Sequence, residues 1–346
     1  MMKQNQLYND EIKDIIQEPY NWGKFRDKTI LLSGASGAIG RVIVDVIMEL
    51  NSSKNLHCQI LAVSRDAEKA RKVFPDYWNN DNFTFISCDI TQGICIQEKV
   101  DYVVHAASNT HPLLYAKDPI GTITTNTLGT YYLMELAAEQ KAEFLMMSSV
   151  EIYGENISQN SGFNENDMGY INCATLRAGY PESKRVAESL CYAFANQKGM
   201  KFKIVRLARV YGATMTGEDS RAIAQFFHKA VERKDIILKS DGQQLFSYVY
   251  VMDCVSGIFA VLLNGENEEV YNISGTNSII TLYDLARLIA EEFGVDVIRK
   301  MPEKLEKQGF SKATYAVLNN QKLISLGWKE KTPIIQGICK VRKQWE

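Results

Sequence analysis

The 346-residue chain contains no run of about eighteen uninterrupted apolar residues, so no helix of it is expected to span a membrane. Its first 27 residues, MMKQNQLYNDEIKDIIQEPYNWGKFRD, mix charges with single apolar residues and lack the apolar stretch of a signal peptide. An excess of charge of one sign is missing too. The 39 Lys and Arg stand against 41 Asp and Glu, a net charge of -2, which argues against a partner gripped by counter-charge, whether a nucleic-acid backbone or an anionic membrane. Proline is scarce at 7, and no linker rich in Pro, Gly or Ser divides the chain. None of the cysteines (Cys58, Cys88, Cys95, Cys173, Cys191, Cys254, Cys339) forms a CxxC pair, and His57, His105, His111 and His228 have no ligand spacing. Neither a disulfide framework nor a bound metal is therefore expected. What survives these exclusions is a cytoplasmic protein whose partner is a small molecule.

The composition that remains, 46% hydrophobic and 23% charged, is that of an ordinary globular chain. At roughly 150 residues per domain, it is long enough for one or two. Apolar strand-like runs at 28–32, 58–64, 83–87, 100–106, 142–148 and 202–208 alternate with helical stretches such as 37–50, 122–140 and 182–197. Strand alternating with helix implies an α/β doubly wound parallel sheet covered on both faces, the Rossmann architecture. Beyond residue 212 the rhythm loosens into short strands (236–239, 246–251) and helices (253–264, 281–293), read as a smaller α+β lobe.

Gly34-Ala35-Ser36-Gly37-Ala38-Ile39-Gly40 follows the first strand and opens the first helix of that alternation. Glycines there allow a tight turn and close approach to a pyrophosphate, which the free N–H groups of the helix start attract. The division expected is an N-terminal extension at 1–27, a dinucleotide-binding domain at 28–211 and a mainly substrate-binding lobe at 212–346. At the end of the second strand stand Ser64 and Arg65, where an acidic residue would take the ribose hydroxyl of NAD. A guanidinium suits a 2'-phosphate, so NADP is favoured; Asp66 facing the ribose keeps NAD as the alternative. Tyr180 and Lys184 lie four apart on one helix face, where an ammonium is expected to lower the phenol pKa and make it a base toward a hydroxyl. Ser149 and Glu151 close the fifth strand at the carboxyl edge of the sheet, where such folds bind ligands.

These pieces, together with Cys88-Asp89-Ile90, His105-Ala106-Ala107-Ser108, Asn126-Thr127-Leu128-Gly129-Thr130, SSVEIYG, YPESK, RVYG, YVYVMD and YNISG, resemble the extended short-chain dehydrogenases/reductases of the nucleotide-sugar NAD(P)-dependent epimerase/dehydratase family. The resemblance runs from about residue 27 to about residue 330. It implies that Gly34, Ser36, Gly37, Ala38, Ile39 and Gly40 hold the dinucleotide, that Asp89 and Ile90 border its adenine, and that Ala106, Ala107 and Ser108 line its middle. Asn126 would support the active-site strand, Lys184 would hold the nicotinamide ribose, Tyr180 would be the base, and Ser149 would bridge to the sugar hydroxyl. Asn109, Ser149 and Phe246 would contact a nucleotide-diphosphate sugar. Helices 122–140 and 182–197 would pair in a homodimer.

Members of such a family commonly pass through a 4-keto sugar. Glu151, two positions after Ser149, resembles the Glu of its dehydratases and decarboxylases and could remove the C5 proton beside that ketone, or simply bond nearby backbone. A 4,6-dehydratase-like reaction is the favoured reading, with 4-epimerase, UDP-glucuronate decarboxylase-like and NADPH-dependent keto-sugar reductase activities as alternatives. Val150 stands where one dehydratase motif has its Asp acid, and Phe246 where many relatives place an Arg on the pyrophosphate or a uronic-acid carboxylate. Arg209 and Arg221, on either side of RVYG, are then the candidates for the diphosphate. The polar segment 154–179 could cover the substrate.

Overall fold

The computed structural model describes residues 5–110, 112–155, 162–300 and 313–346. Helix α1 (Gln6–Ile16) is capped by Asn5, whose side chain accepts from the Tyr8 amide, and it buries Tyr8, Ile12, Ile15 and Ile16 along one stripe. The expected extension is thus folded onto the core, because those apolar residues recur at helical spacing between the charges. The alternation follows as β1 (Thr29–Ser33), α2 (Ala38–Lys54), β2 (Gln59–Ser64), α3 (Ala67–Val73), β3 (Phe83–Ser87), β4 (Tyr102–His105), α4 (Pro112–Lys117), α5 (Pro119–Thr124), α6 (Thr130–Gln140), β5 (Glu143–Ser149), α7 (Gly179–Lys198) and β6 (Phe202–Leu207). The rest comprises β7 (Arg209–Tyr211), α8 (Ala222–Val231), β8 (Ile236–Leu238), β9 (Leu245–Tyr250), α9 (Val251–Asn264), β10 (Glu269–Ile273), β11 (Ile279–Thr281), α10 (Leu282–Phe293), β12 (Val297–Arg299), β13 (Tyr315–Ala316), α11 (Gln321–Ile324) and α12 (Ile334–Trp345).

Seven strands form one sheet in the order β10-β6-β5-β4-β1-β2-β3. Every pairing in it is parallel. Their apolar runs are continuous rather than alternating because helices cover both faces; β6 is buried along its whole length. The order reverses between β1 and β4, which opens a crevice at the carboxyl ends of these strands. β9 joins β7, β11 and β13 in a second sheet above that edge, and β8 pairs with β12.

Two sequence expectations change. The stretch 122–140 is not one helix: Thr125–Gly129 forms a π-helical turn between α5 and α6. Residue 212 is not a clean border either, since β10 returns to the main sheet beside β6, led there by the almost wholly buried α9. A short parallel edge strand carries no periodic signal distinguishing it from a lobe of its own.

Candidate active site

The glycine-rich turn is shaped by contacts that exclude a side chain. Gly34 has φ +74°, and a Cβ there would lie 2.7 Å from the Ala107 amide nitrogen, while one on Gly40 would lie 2.4 Å from the Gly34 carbonyl oxygen. The turn is therefore pressed against the end of β4 and the first turn of α2. Gly37 caps α2 without a side-chain acceptor, leaving the first-turn N–H groups to face an anion. A dinucleotide pyrophosphate fits this cradle.

Around it, the Ser36 hydroxyl donates to Ser64 Oγ at 3.1 Å. Arg65 and Asp66 are exposed, and Asp66 caps α3 by accepting from the Lys69 amide at 2.9 Å. Asp89 accepts from the Thr91 amide at 3.0 Å and from its hydroxyl at 2.8 Å. Those bonds, with a smaller contribution from Arg65, hold its carboxyl below the usual range. Ile90 packs where a Cβ on Gly129 would come within 2.7 Å of its Cδ1.

Beneath Ala106 and Ala107 runs a buried polar chain. The Ala107 amide donates to Ser33 Oγ at 3.3 Å, and Ser33 Oγ meets His105 Nδ1 at 2.7 Å. His105 Nε2 meets Thr130 Oγ1 at 2.9 Å, and Thr130 donates onward to the Asn126 carbonyl at 2.6 Å. Since the Thr130 proton is committed to Asn126, Nε2 must carry the imidazole proton and Nδ1 must accept from Ser33. Burial lowers the His105 pKa to about 3, helped by Lys184. Asn126, in the π-helical turn, accepts from Ser108 Oγ at 2.8 Å and donates to Ser183 Oγ at 3.0 Å. It thereby ties the dinucleotide floor to α7. Buried Asn109 donates to Thr122 Oγ1 at 3.1 Å.

Helix α7 begins at Gly179, so Tyr180 and Lys184 occupy its first turns on one face below Ser149. Here the expectation of an acidified phenol is corrected. Burial, followed by the Glu151 charge, pushes Tyr180 up to about 12, against an opposing hydrogen bond from Ser149 and the charges of Arg177 and Arg221. Burial also brings Lys184 down to about 8, and its ammonium donates to the Met147 carbonyl at 2.9 Å.

Two neighbours had no sequence signal as site residues. Arg177 Nη2 donates to both Glu151 carboxylate oxygens, at 2.6 and 2.7 Å. The Tyr115 ring stacks on Tyr180 with centroids 4.7 Å apart and planes 25° apart, and the Arg177 guanidinium lies 4.8 Å from the Tyr115 centroid. Arg177 is three positions before Tyr180, which hints at proximity, whereas nothing local marks Tyr115. Arg221 is committed to Asp219 and to the Val210 carbonyl, so its charge is largely answered within the protein. Arg209 differs. Its guanidinium lies 3.4 Å from the Phe246 ring centroid, and its buried Nη1 has no hydrogen-bond partner among the described residues. Phe246, expected to touch substrate, is 6% exposed and instead forms the plate under Arg209. Of the covering segment 154–179, residues 156–161 lie outside the described residues, as does His111. No group of three metal-ligating side chains occurs among the described residues.

A family model described as the NAD dependent epimerase/dehydratase family matches residues 30–274. UDP-glucuronic acid decarboxylase 3 of Arabidopsis thaliana is 29% identical over 315 residues, covering 89% of this chain and 86% of its own. UDP-glucuronic acid decarboxylase 1 of Xenopus tropicalis is 29% identical over 315 residues, covering 90% of this chain and 71% of its own. The fold is also that of a UDP-glucose 4-epimerase from Thermotoga maritima, with TM-score 0.79, 23% identity, and coverage of 92% of this chain and 100% of that one. A dTDP-glucose 4,6-dehydratase from Bacillus anthracis superposes with TM-score 0.77 at 22% identity, over 92% of this chain and 96% of that one.

Proposed function

The chain belongs to the NAD dependent epimerase/dehydratase family, and from that premise we propose that it modifies a nucleotide-diphosphate sugar by oxidising it at C4, with Glu151 removing the C5 proton in a 4,6-dehydratase-like reaction. The observation that carries this reading is the convergence of Ser149, Glu151 and Tyr180 at the end of β5, where Ser149 Oγ accepts from the Glu151 amide at 3.3 Å and is hydrogen-bonded to the Tyr180 phenol. Gly34, Ser36, Gly37, Ala38, Ile39 and Gly40 would hold the dinucleotide pyrophosphate, Asp89 and Ile90 the adenine end, and Lys184 the nicotinamide ribose. When bound, the dinucleotide supplies the hydride acceptor for C4. Exposed Arg65 beside Ser64 supports NADP over NAD, since Asp66 is occupied as the α3 cap.

Within the protein, Ser149 orients the sugar hydroxyl toward Tyr180, and Lys184, buried under the sheet edge, adds a fixed positive charge. Burial and the Glu151 charge favour the protonated phenol, and the Ser149 hydrogen bond with the charges of Arg177 and Arg221 opposes them. A second reading, loss of carbon dioxide from a nucleotide uronic acid, is favoured by one observation: Arg209 keeps an unpartnered nitrogen within electrostatic reach of Glu151, where a sugar carboxylate would answer it.

The test is to identify small molecules released from the purified protein by native mass spectrometry, then to incubate it with UDP-glucose, dTDP-glucose, CDP-glucose and UDP-glucuronic acid. Loss of water from the sugar is expected, with Tyr180→Phe abolishing turnover while sparing dinucleotide binding. Loss of carbon dioxide instead would select the second reading. Full activity in the Tyr180→Phe variant would overturn the assignment of the base, and net consumption of NADPH would make the enzyme a keto-sugar reductase.

A further inference from the structure

We propose that Arg177 is the positioning residue that makes Glu151 a carbon base: it grips both carboxylate oxygens from the turn that leads directly into the helix of Tyr180, and so holds the carboxylate in register with that phenol. The inference rests on the reading of Glu151 as the group that removes the C5 proton.

Three features carry it. Arg177 lies in the short turn Leu176–Ala178, three residues before Tyr180, so its guanidinium and the phenol move as one body. Its Nη2 reaches both Glu151 oxygens, at 2.6 and 2.7 Å, although the two residues come from different elements 26 positions apart. The guanidinium plane is fixed a second time by Tyr115, which is itself stacked on Tyr180. Arg177, Tyr115 and Tyr180 therefore form one column with Glu151 held at its end. The Arg177 Nε is buried without an acceptor among the described residues, which shows that ring and carboxylate, not saturation of donors, dictate where the guanidinium sits.

A purely structural pair would serve as well anywhere on the surface; this one fixes the aim of the base. The groups facing Glu151 are Arg177, the phenols of Tyr115 and Tyr180, and Arg209, with Arg221 beyond them committed to Asp219. Arg209 lies against the Phe246 ring, so the cation that grips the carboxylate is Arg177. Without Arg177 the carboxylate would lose its two-point hold and with it the alignment with Tyr180. In the step itself the C5 proton moves to a Glu151 oxygen, and the C–H electron pair moves into the C4 carbonyl to form the enolate. The ketone that accepts the pair comes from oxidation by the NAD(P) assigned above.

The experiment compares Arg177→Met, Arg177→Lys and Glu151→Gln with the wild type, using whichever of UDP-glucose, dTDP-glucose, CDP-glucose or UDP-glucuronic acid the wild type oxidises. Two events are followed separately: formation of reduced nicotinamide by its near-ultraviolet absorbance, and wash-in of deuterium at C5 from heavy water. Arg177→Met is expected to lose C5 exchange on the order of a hundredfold, at least tenfold more than it loses nicotinamide reduction, while Arg177→Lys recovers part of the exchange. Wild-type exchange in Arg177→Met, with exchange lost in Glu151→Gln, would overturn the role of Arg177 and leave the role of Glu151 standing. Undiminished exchange in Glu151→Gln, or a wild type that oxidises none of the four sugars, would overturn the underlying reading instead.

Discussion

His105 is a buried histidine kept neutral, with both ring nitrogens spent on hydroxyls. Its folded pKa of about 3 lies below the ordinary 6.5, so between those values the unfolded chain binds a proton that the folded one refuses. Stability from this group is complete above pH 6.5 and is lost progressively as the pH falls toward about 3. Denaturant titrations at a series of pH values are expected to show that slope, and His105→Gln is expected to flatten it while lowering stability at neutral pH by roughly 1–3 kcal/mol through broken buried hydrogen bonds. A second expectation concerns Arg209: replacement by Leu should raise the KM for the nucleotide sugar by tenfold or more with little change in dinucleotide affinity, and equal losses in both would remove it from the sugar site. Ser149, Glu151, Tyr180 and Lys184 were legible because each sits in a short local motif whose strand or helix context is readable. Arg177 and Tyr115 were not, since their meaning arises only when a turn before α7 meets the connection after β4. The sign of the Tyr180 shift was misread for a similar reason: spacing announces a nearby ammonium but does not reveal the burial that outweighs it.

Among the elements, the turn between β1 and α2 has the least room for change. Gly40→Val would drive methyl groups into the Gly34 carbonyl and the Ala35 backbone, so it is expected to abolish retention of the dinucleotide, measured by mass spectrometry, and to lower the melting temperature. That turn was readable because glycine spacing, preceding strand and following helix all agree. The π-helical turn at Thr125–Gly129 was not, because its residues fit a helix of either pitch. It aims Asn126 at both Ser108 and Ser183, a pair that a continuous α-helical register would not place together. Strand β10 escaped for want of length, five residues whose sheet is decided by a partner more than sixty positions away.

For the whole molecule, the exposed faces of α5, the π-helical turn, α6 and α7 carry Ile120, Leu128, Tyr131, Val186 and Tyr192. Exposed apolar side chains on this set of elements are expected to bury themselves against a second copy. Sedimentation at micromolar concentration should give a dimer, and Leu128→Glu with Val186→Glu should give a folded monomer; a wild-type monomer would refute the pairing. The doubly wound class was legible from alternation alone, while the division at residue 212 was not, because the chain leaves the main sheet and comes back.

The N-terminal helix sets a condition on how such a chain can fold. Glu11, 5% exposed, accepts from Tyr250 at 3.0 Å and from Gln344 at 2.6 Å, and pairs with Lys340 at 2.9 Å. This buried carboxylate is thus answered by side chains 239 and 333 positions away along the chain. The contact that closes over it therefore joins widely separated stretches and forms only after long-range loop closure, one of the slow steps of folding.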